Sequence, residues 1–182
     1  MNETTKMLVA ALAAGWALCS AAPSLGADAA DTMFLTNAIR GNMAEVKMGE
    51  LAQQRGASED VRDFGKTLES DHSRALQKHE ALARDKNIVV PTEVTPEQKQ
   101  EHDMLAKLSG AEFDREFAMQ MVDAHRKTVA VYEAEAKSNG DADIVDLARD
   151  TLPTLRDHLA TAQKLAGGLT RTSQRSDHDR LE

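Results

Sequence analysis

The sequence is poor in the residues that many kinds of functional site require. Its 182 residues include one cysteine, four prolines and only 3% aromatic residues. The cysteine, Cys19, lies in an N-terminal segment that we expect to be removed, which leaves no thiol for disulfides, thiolate metal ligation or thiol catalysis. With 3% aromatic residues and a net charge of −8, the chain has few stacking platforms and no basic block. Nucleic acids and anionic membranes are therefore not expected partners.

The one long apolar run lies at the N-terminus. Residues 7–22 follow Lys6 and precede Pro23 and a small-residue stretch ending at Ala29. That layout is typical of a secretory signal peptide, and the run is too short for a convincing membrane span. We predict a signal peptide over residues 1–29 and an exported, periplasmic protein with no transmembrane span in the mature chain. A peripheral position at the outer membrane is compatible with this prediction. A retained N-terminal anchor is the rival interpretation.

Residues 31–168 show the helical spacing of apolar side chains and no convincing strand pattern. Candidate N-caps precede three of the helices, at Asp31, Ser58 and Ser109. Thr95-Pro96-Glu97-Gln98 combines a capping box with proline at the first helical position, so it predicts a further, short helix. The predicted long helices span about 32–55, 59–86 and 110–138, and a last one runs from a cap at Asp141 or Asp143 to about 168.

The connections predict how the helices pack. Residues 56–58 and the turn Asn139-Gly140 are so short that each must join two antiparallel neighbours. Residues 87–109 form a longer crossover between the two hairpins. The expected fold is all-α: a four-helix bundle of two αα-hairpins joined by a long crossover that contains a short helix. Pro153 should bend the last helix, and residues 169–182 are predicted to be a disordered polar tail.

The two predicted hairpins resemble each other in sequence. A shift of 83 residues superimposes Phe34 on Phe117, whereas the Asp-His pairs at 71–72 and 157–158 align at a shift of 86. The pattern is compatible with an internal duplication. Two hairpins that share only amphipathic spacing would explain it equally well.

Polar side chains interrupt the apolar faces of all four long helices at a similar depth. A rise of roughly 1.5 Å per residue places them about 15–24 Å from the hairpin turns, near the middle of the bundle. Such a layer of carboxylates and imidazoles could bind a divalent transition metal such as zinc, iron or manganese. Asp71 and Asp157 precede two of the histidines and would orient imidazoles through hydrogen bonds. The candidate ligands are Glu45, Glu69, His72, His125 and His158.

A metal-free interpretation explains the same residues. A buried network in which glutamate and histidine side chains satisfy one another also places polar groups on core faces. His79 lies two turns from His72, about 10 Å away along the helix, and is not expected to share its metal. Nucleophile–histidine–acid arrangements, phosphate-binding loops and the HExxH motif are absent from the sequence. Enzymatic activity is therefore not the favoured prediction.

Five short segments occur in a characteristic order along the chain. They are Gly41-Asn42-Met43-Ala44-Glu45, Asp71-His72-Ser73, Leu108-Ser109-Gly110-Ala111-Glu112-Phe113-Asp114, His125 and Leu152-Pro153-Thr154-Leu155-Arg156-Asp157-His158-Leu159. In these segments the chain resembles a family of exported bacterial proteins that carry a domain of unknown function. Its members are often described as outer-membrane or periplasmic proteins and are grouped with ferritin-like folds. The resemblance covers about residues 31–167 and implies a ferritin-like four-helix domain, with no established activity to carry over.

The sequence departs from the pattern of di-iron bundles. Those place Glu-x-x-His on two helices and a glutamate on each of the other two. Here Glu69 and His72 fit that motif once, Leu155 occupies the matching position before His158, and the third helix offers His125 instead of a glutamate. We therefore expect a mononuclear site or none. The leading hypothesis is an exported, non-enzymatic ferritin-like protein that binds a divalent transition metal. The alternatives are a cell-envelope stress or protein-interaction module with a structural polar core, and a metal-dependent oxidase.

Overall fold

The computed structural model describes residues 25–178, with side chains for residues 29–169. Most of the predicted signal peptide lies outside the described residues. Within the described part the fold is all-α, and no helix there combines the length and apolarity needed to cross a membrane. The helices are α1 Leu25–Arg55, α2 Glu59–Asp85, α3 Pro96–Leu105, α4 Gly110–Glu135 and α5 Ala142–His178.

The four long helices form two hairpins. Helix α1 packs along α2, and α4 packs along α5, while α2 and α5 provide the most extensive contact between the hairpins. Residues 86–95 run without helix from α2 to α3, which lies in the crossover and touches both α1 and α4. The Thr95 hydroxyl accepts from the Gln98 backbone N–H, and the Gln98 side chain accepts from the Thr95 N–H. The predicted bundle of two αα-hairpins, with its capped crossover helix, is confirmed.

Helices α1 and α2 cross with their backbones in direct contact. A Cβ atom added at Gly49 would lie 2.6 Å from the Gly65 carbonyl oxygen, and one added at Gly65 would lie 2.7 Å from the Gly49 carbonyl oxygen. Because real Cβ atoms do not approach other atoms so closely, both positions require glycine. The pair sets how near the two helices can lie at this level of the bundle.

Two buried aspartates, Asp31 and Asp114, bind the turns of the opposite hairpins. The carboxylate of Asp114 in α4 accepts hydrogen bonds from the backbone N–H groups of Ala57 and Ser58, both at 2.8 Å. The carboxylate of Asp31 in α1 accepts from the backbone N–H of Asp141 at 2.9 Å. Asp31 and Asp114 are separated by 83 residues, as are Ser58 and Asp141. The shift that relates the hairpins in sequence therefore also relates a repeated tertiary contact.

Some predicted helix ends were wrong. Asp31 lies inside α1, which begins at Leu25, and so it does not cap that helix. Ser109 precedes α4 without a side-chain cap hydrogen bond, and the turn there depends on Gly110, whose φ is +63°. Asp141 does cap α5, since its carboxylate accepts from the backbone N–H groups of Asp143 and Ile144.

Helix α5 continues to His178, ten residues beyond its predicted end at Gly168. Glycine ends a helix by adopting a positive φ, and neither Gly167 nor Gly168 does so. The helix therefore extends into the predicted polar tail. Pro153 lies inside the helix, as predicted. The division into leader, domain and tail stays a prediction.

A layer of buried polar side chains divides the core into two apolar clusters. On every long helix one of these residues lies between a member of one cluster and a member of the other. His72, His125 and His158 lie at their predicted depth, whereas on α1 the residue is Asn42 and not the predicted Glu45. We call Asn42, His72, His125 and His158 the polar layer. One cluster includes Met48, Leu51, Val61, Phe64, Leu68, Phe113, Phe117, Met121 and Ala162, and the other includes Phe34, Leu35, Ile39, Ala83, Tyr132, Ile144, Ala148, Leu152 and Leu155.

Candidate metal centre

Three of the predicted ligands converge at the centre of the bundle. His72 of α2, His125 of α4 and His158 of α5 expose only 5%, 1% and 3% of their surface. Their ring centroids are 5.2 to 5.8 Å apart. One potential ligand nitrogen from each ring lies within 4.8 Å of the other two. No other group of this kind occurs among the described residues.

Hydrogen bonds determine which nitrogen of His72 and of His125 carries a proton. The His125 Nδ1 lies 3.0 Å from the Met121 carbonyl oxygen, which can only accept, so Nδ1 donates. The Asn42 amide nitrogen donates to the Ala38 carbonyl at 2.9 Å, which turns the Asn42 oxygen toward His72. That oxygen lies 2.8 Å from His72 Nδ1, which therefore also donates. In their neutral forms both rings carry a lone pair on Nε2.

His158 has the opposite tautomer. Its Nε2 lies 3.0 Å from the Asp71 carboxylate, and this pair joins α5 to α2. Because the carboxylate accepts, Nε2 donates, and the lone pair of the neutral ring lies on Nδ1. Asp71 also pairs with Arg74 on its own helix. The contact with His158 is the one expected of an orienting carboxylate.

The three lone-pair nitrogens have no hydrogen-bond partner among the described residues. They are buried, and they are His72 Nε2, His125 Nε2 and His158 Nδ1. Burial lowers the pKa of His72 well below the usual histidine value, and the neighbouring imidazoles lower it further. Burial also lowers the pKa of His158, although the Asp71 carboxylate opposes that effect. Both rings are therefore neutral near pH 7, the form in which histidine binds metals.

The two predicted glutamate ligands occupy different places. Glu45 lies beside the polar layer, close enough for its charge to interact with His125, but its carboxylate is outside the group of three imidazoles. Its Oε2 is buried without a hydrogen-bond partner among the described residues. Burial raises the pKa of Glu45, His125 lowers it in part, and Glu101 raises it. Glu45 is a neighbour of the centre and not one of its three converging groups.

Glu69 does not belong to the centre. Its carboxylate accepts a hydrogen bond from the Gln53 side chain at 2.6 Å, so it lies at the contact between α1 and α2. This geometry does not support the predicted ligand role. Asp157, predicted to orient a histidine, is exposed and influences His158 only through its charge.

Comparison with known proteins identifies the family. A family model described as a domain of unknown function, DUF4142, matches residues 18–165. The chain belongs to the DUF4142 family. The predicted membership of a family of unknown function is thus confirmed, and no curated protein matches the chain.

The DUF4142 domain also resembles a solved structure, that of a DUF305 fragment from Deinococcus radiodurans. The two chains share 16% sequence identity with a TM-score of 0.67, and the match covers 76% of this chain and 95% of that one. At this identity the likeness shows the fold alone. It supports the predicted ferritin-like helical fold.

A cavity of about 510 Å³ leads from the surface of the DUF4142 domain to the polar layer. Residues of α1 and α4 form most of its walls, and Glu101 of α3 lies at its edge. His72 and His125 line the cavity, as does Glu45, whereas His158 does not. This cavity therefore approaches the centre between α1 and α4, on the side of His72 and His125.

Sequence reasoning missed the part that Asn42 plays in the centre. Asn42 belongs to the first of the five segments that carry the family resemblance, but nothing in the local pattern indicates that its amide orients His72. A separate pair of hydrogen bonds holds His79. The Tyr132 hydroxyl donates to His79 Nε2 at 2.9 Å, and His79 Nδ1 donates to the Ala75 carbonyl at 2.7 Å. Both nitrogens of His79 are thus satisfied, and His79 stays outside the group of three, as predicted.

Proposed function

We propose that this DUF4142 domain binds a single divalent transition-metal ion through His72, His125 and His158. One observation carries the proposal. Three buried imidazoles converge, and hydrogen bonds at the opposite side of each ring leave a lone pair on His72 Nε2, His125 Nε2 and His158 Nδ1.

Hydrogen bonds among the described residues do not satisfy these three nitrogens. A buried acceptor that lacks a donor loses its interaction with water and gains nothing in return, at a cost of about 1–3 kcal/mol. Here three acceptors lie together, and no donor among the described residues reaches any of them. A cation bound between them would satisfy all three lone pairs at once.

The ligand set favours zinc. Imidazole nitrogen suits zinc, copper, nickel and iron, whereas manganese prefers carboxylate and other oxygen ligands. The converging group contains no carboxylate, so a di-iron centre of the ferritin type is not expected. Three neutral imidazoles are the protein ligands of one common type of zinc site.

Elemental analysis tests the proposal. The purified protein is incubated with zinc, desalted and analysed, and we expect stoichiometric zinc in the wild type and a loss of most of it in His72→Ala and in His125→Ala. His79→Ala is the matched control, because His79 is also a buried histidine of α2 but has both ring nitrogens hydrogen bonded. It should retain the metal.

Thermal unfolding separates loss of the site from loss of the fold. Zinc at about 100 times its dissociation constant would stabilise the folded state by about 2.7 kcal/mol. We expect a zinc-dependent rise of Tm in the wild type and in His79→Ala, and none in His125→Ala. A folded wild-type protein that retains no zinc, copper, nickel or iron would refute the proposal.

The apolar run at residues 7–22 and the small residues after it support a second proposal, that the protein is exported after removal of its leader. The cleavage must leave Asp31 in place, because its carboxylate binds the turn between α4 and α5. Cell fractionation and N-terminal sequencing of the mature protein test this. An intact N-terminus in the cytoplasmic fraction would contradict it.

A further inference from the structure

We infer that the bound ion keeps one coordination position open toward the α1–α4 cavity, and that a water molecule or a small anion from solvent occupies it. The inference rests on the proposed function, because it concerns the surroundings of the same ion. It adds the class of exogenous ligand that the centre would accept.

The cavity meets the centre at His72 and His125. Both residues line it, whereas His158 does not. Among the described residues no further histidine, cysteine or carboxylate side chain joins the three imidazoles in this group. The ion therefore faces the cavity on the side of His72 and His125.

The inner part of the cavity is lined by polar groups that lack partners. Besides His72 and His125, these include Glu45, whose Oε2 is buried and unpaired, and Gln120, whose Oε1 is buried and unpaired. Four of the residues that line one cavity thus have a buried polar atom without a hydrogen-bond partner among the described residues. Sites of this kind bind water or small hydrogen-bonding ligands, because an apolar molecule would leave the polar groups unsatisfied.

The cavity has room for such ligands and a connection to solvent. A water molecule takes up about 30 Å³ of liquid, so a cavity of about 510 Å³ accommodates several. Exposed residues, including Glu116 and Lys127, form part of its lining, and so it opens at the surface. Three histidines with an open position are also the ligand set that, in zinc enzymes, binds a reactive water molecule.

Cobalt(II) and azide provide the test. Cobalt(II) replaces zinc in such sites and has visible absorption bands that respond to a change of ligand. We expect the cobalt-loaded wild-type protein to show a saturable spectral change when azide is added. Failure to bind cobalt would count against the proposed function itself. Stoichiometric cobalt whose spectrum responds neither to azide nor to neutral imidazole would overturn only the open position.

Two glycine variants test the route through the cavity. Gly41 lines the cavity, and a Cβ atom there would meet nothing within 4 Å, so Gly41→Phe can fill the cavity without a clash at its Cβ. We expect this variant to bind cobalt normally and azide roughly tenfold more weakly. Gly167→Phe is the control, because Gly167 also has open space around it but does not line the cavity. Unchanged azide affinity in Gly41→Phe would contradict the proposed route.

Glu45→Ala distinguishes an open position from a closed one. If the Glu45 carboxylate completed the coordination of the ion, azide would bind only after its removal. An azide response that appears in Glu45→Ala and is absent from the wild type would therefore overturn the inference. A response in both proteins supports it.

Discussion

Asp71 Oδ2 accepts a hydrogen bond from His158 Nε2 across the contact between α2 and α5. The two residues are 87 positions apart in the sequence, and their contact determines which nitrogen of His158 carries the lone pair. An acidic side chain on one hairpin thus controls the chemistry of a ligand on the other.

Asp71→Asn should weaken metal binding by about 10- to 100-fold, the usual effect of losing a partner that orients a histidine ligand. An asparagine amide can donate to Nε2, and that would move the ring proton to Nδ1 and remove the lone pair from the centre. Competition with a chelator measures the affinity. Asp157→Asn is the matched control, since Asp157 is adjacent to His158 in sequence but exposed. Equal affinities in the two variants would contradict the role of Asp71.

The stability of the metal-free protein should fall as the pH drops below the usual histidine pKa of 6.5. The pKa values of His72, His79 and His158 are all lowered in the folded state, chiefly by burial. Around and below pH 6.5 the unfolded chain therefore binds more protons than the folded one, so the free energy of unfolding decreases as the pH falls. Urea unfolding in the presence of a chelator, at several pH values between about 8 and 5, measures this free energy of unfolding. His72→Gln should show a smaller slope, and a flat profile in the wild type would contradict the prediction.

Glu45→Gln should stabilise the metal-free protein at neutral and alkaline pH. The pKa of Glu45 is raised in the folded state, chiefly by burial. The stabilisation that comes from the protonated Glu45 side chain is therefore fully present below its pKa in the unfolded chain, near 4.5. It is lost as the pH rises through the higher pKa of Glu45 in the folded protein. In acid the free energy of unfolding of Glu45→Gln, measured with urea, should equal that of the wild type. Glu50→Gln, an exposed change on the same helix, should have little effect at any pH.

Gly49→Ala should destabilise the protein by about 1–3 kcal/mol, the range for overpacking, although alanine favours helix more than glycine does. A Cβ atom there would lie 2.6 Å from the Gly65 carbonyl oxygen and 2.8 Å from the Glu69 backbone nitrogen, so α1 and α2 would have to separate. Gly41→Ala is the control in the same helix, where a Cβ atom meets nothing within 4 Å. It should stabilise the protein by about 0.5–1 kcal/mol. Thermal or urea unfolding of both variants measures these changes. If Gly49→Ala stabilised the protein as Gly41→Ala does, the close crossing of α1 and α2 would be refuted.

Much of the fold and the shared layer of the three histidines follow from local rules. Apolar spacing marks the inward face of each helix, and the constant rise per residue gives the depth of any position below a hairpin turn. Those two rules suffice to place His72, His125 and His158 in one layer. They need no knowledge of how the hairpins contact each other.

The contacts that depend on tertiary packing did not follow from the sequence. Glu69 is one turn from His72, but the close crossing at Gly49 and Gly65 places it beside α1, where Gln53 binds it. Asp31 has the local pattern of an N-cap, and its actual partner is a backbone N–H 110 residues away. Long-range pairs of this kind leave no periodic signal.

Each hairpin provides one aspartate that binds the turn of the other hairpin: Asp31 of the first and Asp114 of the second. The two halves of the protein therefore depend on each other. Neither hairpin can satisfy its own turn, and the contacts that complete both turns do not involve the crossover, residues 86–109. A chain cleaved within that crossover should therefore yield two fragments that reassemble when mixed. For the same reason two intact chains could exchange hairpins and form a domain-swapped dimer in which every turn is still satisfied.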